Sequence, residues 1–390
     1  MKKYFAKELT RYSYSKDIAF LSNRYTGEWI KIPKEIMHIL EFSYSRGMSE
    51  SESYELIEGV DNKRYLKSVY IFLDRMGLMA PEPKYKRNLH YIPLVTISIT
   101  NNCNLNCSYC CTKSSYEVKY IDLKTKEIKK AIDIALKMNP IKLKISGGEP
   151  MLREDFFEIL DYVKTTYRGK IVLATNATLI NLENIDKLVK KIDFIEISID
   201  PYNNKKHIKM IINELKDRGM NNIYVSMVVG KNNYKHVSKF KHECEVLGVH
   251  PVIRNFMRVG NAVIDKLYLS NEHEIVFEDD KNITTNKEAI TCNAGENQIF
   301  INYDGKIYPC PLLTDDKFLI SDIKNIDQNG INMIINNDFN VLKRINEIRT
   351  INNNKCKNCE DALFCHNCIY IIDKMIRDEK IFKYNCKKKV

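Results

Sequence analysis

Three cysteines spaced Cys103-x3-Cys107-x2-Cys110 are the residues of this 390-residue chain best placed to do chemistry. Thiolates at that spacing within one loop can hold a cubane 4Fe-4S cluster by three of its irons, whereas an electron-transfer cluster normally takes four cysteines. The fourth iron is then open to a substrate or cofactor. Tyr109 precedes the third cysteine, and the apolar run 92–99 leads into the loop as a buried strand would. A zinc site is the competing reading, since zinc pairs Cys-x2-4-Cys with two further ligands. The third cysteine and the preceding strand favour the cluster. Cys107-x3-Cys111 is also a plausible spacing, but only Cys110 follows Tyr109 and keeps both intervals, so Cys111 reads as a packed thiol.

A second group of cysteines lies in the tail, as Cys292-x12-Gly305-x4-Cys310, Cys356-x2-Cys359-x5-Cys365-x2-Cys368 and Cys386. Asp304-Gly305 reads as a hairpin turn between strands at 298–302 and 306–308, presenting the flanking cysteines together. Two Cys-x2-Cys pairs five residues apart can also wrap one zinc, which leaves Cys292, Cys310 and Cys386 unexplained. His366, between two of the cysteines, reads as exposed rather than as a ligand.

The elements that must position these residues alternate between strand-like and helix-like runs from about 90 to 260, the pattern of parallel βα units. Strands are expected at 94–99, 141–145, 170–175, 193–199, 222–229 and 250–256, with amphipathic helices such as 125–138 and 184–190 between them. The site of such a sheet lies at the carboxyl ends of its strands. Ser146-Gly147-Gly148-Glu149-Pro150 follows the second strand there: glycines let the backbone approach a ligand closely, and Glu149 can accept a hydrogen bond from an ammonium. Asn176, in Thr175-Asn176-Ala177-Thr178, ends the third strand, and Ser198, before Ile199-Asp200, ends the fourth. For both, ligand contact and polar helix cap stand as equal readings.

Residues 1–85 carry no cysteine. Two strands, at 17–21 and 28–32, flank a turn at 24–27 whose Gly27 supplies the positive φ such turns need. A helix is expected from Pro33, with Ile36, Ile39, Leu40 and Phe42 near helical spacing, a short one after Ser49, and a third with Tyr65, Val69, Ile71, Phe72 and Met76, ending at Gly77. Pro81 and Pro83 mark a linker. The formal net charge is +11, but the lysines are scattered along the chain rather than gathered into a nucleic-acid tract. No apolar run is long enough to span a bilayer, and the N-terminus has no secretory apolar region. The twelve cysteines therefore read as metal ligands in a reducing cytoplasm rather than as disulfides.

The cysteine loop with Tyr109 and the Gly147-Gly148-Glu149-Pro150 turn together resemble the signature of the radical S-adenosylmethionine (radical SAM) enzymes. The tail resembles their SPASM extension, typical of peptide and protein maturases. This resemblance implies a partial (β/α)6 barrel of TIM type over 90–270, a cysteine-rich SPASM domain over 287–390, and a winged-helix-like α+β domain over 1–85 similar in layout to peptide-recognition elements. It implies SAM bound by its methionine end on the open iron, with Glu149 on the amino group and Ser198 near the ribose. It further implies reductive cleavage to a 5'-deoxyadenosyl radical that abstracts hydrogen. Of two auxiliary 4Fe-4S clusters, one would take Cys292, Cys310 and Cys368 and the other Cys356, Cys359, Cys365 and Cys386. An auxiliary cluster would bind a substrate thiolate or accept the electron released on forming the new bond. Three departures stand out. Pro201 replaces a common glycine, Cys365-x2-Cys368 is one residue shorter than usual, and a cysteine some relatives carry before Cys292 is missing, which would leave the first auxiliary cluster an open iron.

The implied substrate is a ribosomally made precursor peptide whose leader adds as a strand to the N-terminal sheet, with Phe20 or Ile30 on the pairing edge. Flavodoxin or ferredoxin would be the electron donor. Thioether or carbon-carbon cross-linking is the favoured outcome. A sulfatase-type maturase making formylglycine is the alternative enzyme, and a non-catalytic iron-sulfur or zinc scaffold binding peptide or DNA is the alternative outside enzymes. No catalytic acid or base is legible.

Overall fold

The computed structural model describes residues 2–84, 91–199, 205–230, 233–257, 259–263, 292–365 and 367–386. Pro201 and His366 lie outside the described residues. The chain divides into two compact units, one of Met1–Asn88, Asp279–Asn293 and Lys343–Val390, the other of Leu89–Glu278 and Ala294–Leu342. The N-terminal elements and the cysteine-rich tail thus share one unit.

In that unit β1 (Tyr4–Phe5) pairs with β5 (Met79–Ala80), and β2 (Thr10–Ser15), β3 (Ile18–Asn23) and β4 (Trp29–Pro33) form an antiparallel sheet in the order β2-β3-β4. Strand β2 was not legible in the sequence, and it changes which edge is open. Phe20 is paired on both sides, with Ser13 and Lys31, so it lies on a central strand and not on a free edge. Gly27 does turn with φ 77°. Helix α1 (Lys34–Arg46) begins after Pro33 and stops at Gly47, whose φ of 65° ends it in the left-handed region. After the short α2 (Glu50–Ser53), α3 (Val60–Arg75) buries Leu66, Val69, Tyr70 and Leu73 at i, i+3, i+4 and i+7. Of the apolar residues expected on this helix, Val69 and Met76 are buried, whereas Tyr65, Ile71 and Phe72 are exposed, as is Phe42 on α1. Phe364 from the tail packs on this sheet, its ring 4.9 Å from Trp29 and 5.8 Å from Phe20.

The second unit is built on β6 (Leu94–Ser98), β7 (Lys142–Ser146), β8 (Lys170–Thr175), β9 (Phe194–Ser198), β10 (Ile223–Val229) and β11 (His250–Asn255), which pair in parallel in sequence order. Helices α4 (Thr125–Lys137), α5 (Phe156–Thr166), α6 (Ile185–Val189), α7 (Lys205–Asp217) and α8 (Val237–Leu247) connect them. This is the partial TIM-type barrel. Alternation along the strands divides two faces. Leu143, Ile145, Leu173, Ile195 and Ile197 join a continuous apolar core with Ile128, Ile132, Ile159, Ile208 and Ile211 of the helices. Burying each such side chain stabilises the fold by roughly 1.5–3 kcal/mol. Lys144, Ser146, Glu196 and Ser198 take the alternate positions and face the inside of the barrel. The hairpin of β12 (Gln298–Ile301) and β13 (Lys306–Tyr308) turns at Gly305 and extends the sheet through β12 pairing with β6, followed by β14 (Ser321–Asp322).

Helix α9 (Gln328–Ile335) follows, then α10 (Asn340–Ile348), α11 (Ile369–Arg377) and α12 (Glu379–Asn385) towards the tail. Among the described residues no helix is long and apolar enough to cross a membrane.

Candidate active site and iron-sulfur centres

The cysteine loop leaves β6 and is pinned at its entry by Asp122, which the sequence reading missed. The Asp122 carboxylate accepts from Thr100 Oγ1 at 2.6 Å, Asn101 N at 3.1 Å and Asn102 Nδ2 at 2.9 Å. On the next strand, Gly148 N donates to Thr100 O and Glu149 N to Asn102 O, each at 2.9 Å. A Cβ at Gly147 would stand 2.4 Å from Thr100 O, and one at Gly148 2.2 Å from Asn102 O. The glycines therefore let the β7 turn approach the backbone of the cysteine loop itself.

Glu149 is fully buried. Its carboxylate accepts from Thr175 Oγ1 at 2.8 Å, Asn176 N at 2.7 Å and Met151 N at 3.1 Å. Burial raises its pKa, and these hydrogen bonds oppose the shift. Asn176 donates through Nδ2 to Asn104 Oδ1 at 2.8 Å, Asn104 donates to Thr178 Oγ1 at 2.8 Å, and Thr178 donates back to Asn176 Oδ1 at 2.6 Å. This ring fastens the loop to the end of β8, with Asn176 Nδ2 3.9 Å from Cys103 Sγ. Ala177 holds φ 59°.

Burial pushes the Cys103 thiol up to about 11, and nearby Glu149 and Cys110 add to the shift. Cys110 N donates to Cys107 O at 3.1 Å, which places Tyr109 within the turn between those cysteines. Gly260 and Asn261, in a segment that read only as a connection, close the loop from the far side. Asn261 donates from its backbone to Cys110 O at 3.0 Å and from Nδ2 to Cys107 O at 3.2 Å. A Cβ at Gly260 would lie 2.2 Å from Cys110 O. Nothing in the sequence links a lone Gly-Asn pair to a loop 150 residues upstream. Ser198 ends β9 in register with Ser226.

In the tail, Cys356 lies within electrostatic reach of Cys359, Cys365 and Cys386, and Cys365 within reach of Cys359 and Cys386. Asn367 Nδ2 donates to Cys365 Sγ at 3.4 Å and to Asn385 O at 3.2 Å, holding Cys365 beside the segment that carries Cys386. Cys368 is pushed up to about 11, chiefly by burial, and feels Cys292. The Cys292 carbonyl accepts from buried Arg349 at 3.0 Å and buried Arg11 of β2 at 3.2 Å, neither anticipated from sequence. Cys310 is buried in the other unit. Among the described residues no three His, Cys, Asp or Glu side chains converge as the ligands of a single metal ion would.

The sequence matches the Radical SAM superfamily over residues 97–244 and the SPASM iron-sulfur cluster-binding domain over residues 292–360. It is 30% identical over 253 residues to an uncharacterized protein of Methanocaldococcus jannaschii, across 56% of this chain and 84% of that one. The chain belongs to the radical SAM superfamily. It is also 26% identical over 287 residues to the mycofactocin maturase MftC of Mycolicibacterium smegmatis, across 64% of this chain and 72% of that one. In fold it is similar to Streptococcus suis SuiB in the crystal structure bound to precursor peptide SuiA, with TM-score 0.58, 15% identity and coverage of 95% and 97%.

A radical SAM enzyme carries SAM and a 4Fe-4S cluster, and a SPASM domain carries auxiliary clusters. The donor sets here fit those groups. Cys103, Cys107 and Cys110 are thiols of one loop held open by Asp122, Asn176 and Asn261, and a cubane takes each thiolate at a different iron. In the tail, Cys356 lies within electrostatic reach of Cys359, Cys365 and Cys386, and Cys368 within reach of Cys292.

Proposed function

We propose that this radical SAM/SPASM enzyme cross-links a ribosomally made precursor peptide, through a thioether or a carbon-carbon bond, after capturing its leader on the N-terminal sheet. The reading is carried by one observation: the four-thiol set of Cys356, Cys359, Cys365 and Cys386 lies in the same compact unit as a small sheet with open edges. SuiB, of similar fold, binds a precursor peptide, and MftC is a maturase. Both support a peptide substrate here.

Cys103, Cys107 and Cys110 would hold the SAM-binding cluster, with Tyr109, Gly147, Gly148, Glu149, Asn176 and Ser198 around the cofactor. Cys292, Cys310 and Cys368 would hold one auxiliary cluster and Cys356, Cys359, Cys365 and Cys386 the other. When bound, these groups supply reductive SAM cleavage and hydrogen abstraction from the peptide. The chain's own part is to shape the loop through Asp122 and Asn261 and to present the peptide. A flavodoxin or ferredoxin would deliver the electron in the cytoplasm.

The test is anaerobic reconstitution followed by reaction with SAM, reductant and a cysteine-containing precursor peptide. Three clusters, on the order of twelve irons, are expected, with about four lost from the Cys103→Ala, Cys107→Ala, Cys110→Ala triple variant and its SAM cleavage abolished. The product should be two hydrogens lighter and unreactive with hydroxylamine. A hydroxylamine-reactive aldehyde would favour formylglycine formation, and stoichiometric zinc with only one cluster's worth of iron would end the SPASM assignment.

A further inference from the structure

Two arginines from distant parts of the chain meet at one backbone carbonyl. Arg11 of β2 donates through Nη2 to Cys292 O at 3.2 Å, and Arg349, just past the end of α10, donates through Nη1 to the same oxygen at 3.0 Å. They are 5% and 4% exposed. Arg349 is braced by Asn346, whose Oδ1 accepts from Nε at 3.0 Å. A neutral amide could serve the Cys292 carbonyl equally well, so these hydrogen bonds by themselves do not account for burying two cations there.

Both arginines border the place where two tail thiols meet. One cavity is lined by Arg11, Arg349, Cys292, Asn367 and Ile369, and Cys368 stands between the last two in sequence. Cys368 in turn feels the Cys292 thiol. All of these residues lie in the same compact unit. The sheet that supplies Arg11 also carries Phe20 and Trp29 against Phe364, the residue before Cys365. It is thus fastened to the tail beside both groups of cysteines. A 4Fe-4S centre held by thiolates gains negative charge on reduction, and its potential follows net charge, hydrogen bonding and solvent exposure. Buried charges beside it are screened much less than surface ones.

We propose that Arg11 and Arg349 are positioning residues for the auxiliary centre at Cys292 and Cys368: they fix the Cys292 backbone, and their buried charges raise that centre's reduction potential. The N-terminal sheet is then part of the cluster housing as well as a surface for the leader. The inference rests on the reading of Cys292 and Cys368 as cluster ligands.

The experiment uses the reconstituted full chain carrying Cys103→Ala, Cys107→Ala and Cys110→Ala, which leaves the tail centres, in a potentiometric titration followed by EPR. The signal lost on Cys368→Ala belongs to the centre in question, and the remaining one is an internal reference. Arg11→Gln and Arg349→Gln should each lower the midpoint of that centre by about 59 mV, a tenfold change in its reduced-to-oxidised ratio for one electron. The reference signal should move less. Arg11→Lys and Arg349→Lys, which keep the charge, should stay near the parent midpoint. Unmoved midpoints in the Gln variants at full iron content would overturn the proposal, as would equal shifts in the Lys and Gln variants. If a Gln variant does not take up its iron, the Lys variant decides: iron retained at the parent midpoint supports the charge role, and iron lost alike overturns it. Failure of the ligand reading would show separately, as Cys292→Ala and Cys368→Ala variants that lose no iron.

Discussion

Thr175 Oγ1 stands 2.8 Å from Glu149 Oε1, so the hydroxyl at the end of β8 donates to a fully buried carboxylate presented by β7. With Asn176 N on the other oxygen, this joins two strand ends at the point where the cysteine loop crosses them. Glu149 therefore shapes the site whether or not a ligand is bound. Glu149→Gln replaces one acceptor oxygen by a donor facing other donors. SAM affinity should fall by about one to two orders of magnitude, the loss of a charge-assisted hydrogen bond of roughly 1.5–3 kcal/mol. Equilibrium dialysis reads this directly, and an unchanged dissociation constant would reduce the carboxylate to a turn-forming role.

Ala177 occupies left-handed backbone at φ 59°, where a Cβ costs about 1–2 kcal/mol and glycine none. Set against the entropy glycine loses on folding, Ala177→Gly should stabilise the barrel by about 0.5–1 kcal/mol. Urea unfolding of the full chain checks the sign, and a lower midpoint would refute the backbone argument.

The register of β3 and β4 decides where a leader strand can add. Asn23 N donates to Glu28 O at 2.9 Å and Lys34 N to Asp17 O at 2.8 Å. By antiparallel alternation Ile30 is then hydrogen-bonded inward to Leu21, while Lys31, opposite Phe20, turns its N–H away from β3. The structure thus moves the edge test from Phe20 and Ile30 to Lys31. Lys31→Pro should abolish leader-peptide binding, measured by fluorescence anisotropy, while sparing SAM cleavage, whereas Ile30→Pro should break the sheet. Undiminished leader binding by Lys31→Pro would rule out strand addition at β4.

Glu41 of α1 accepts from Lys7 Nζ at 2.8 Å, Tyr12 at 2.7 Å and Tyr14 at 3.2 Å. Burial opposes its ionisation, but the bonds from Lys7 and Tyr12 outweigh it and lower the pKa from the ordinary 4.5. A carboxyl lowered on folding stabilises above its unfolded pKa and loses that contribution as pH falls through the folded value. Amides of β2 should therefore lose hydrogen-exchange protection below about pH 4.5, after correction for intrinsic rates, and Glu41→Gln should flatten this dependence. An equal pH response in parent and variant would show that another group carries it.

Much of the site was legible because its signals are local. The intervals among Cys103, Cys107 and Cys110, the Gly147-Gly148-Glu149 turn and the six apolar strand runs each lie within a few residues, and short-range spacing fixes which side chains one loop or one strand face can present. The barrel strands accordingly fall within about one residue of their expected ends. Helix α3 shows the limit of periodicity: Leu66, Val69, Tyr70 and Leu73 are buried while Tyr65, Ile71 and Phe72 are exposed, and only packing against the sheet selects between them. Tertiary structure alone decided that Asp122 and Asn261 hold the cysteine loop, that Arg11 and Arg349 meet at the Cys292 carbonyl, and that Lys144 and Arg254 share Glu196. Each of these pairings joins side chains brought together by strand order and chain return, and a hydrogen bond between distant segments leaves no periodic trace in either one.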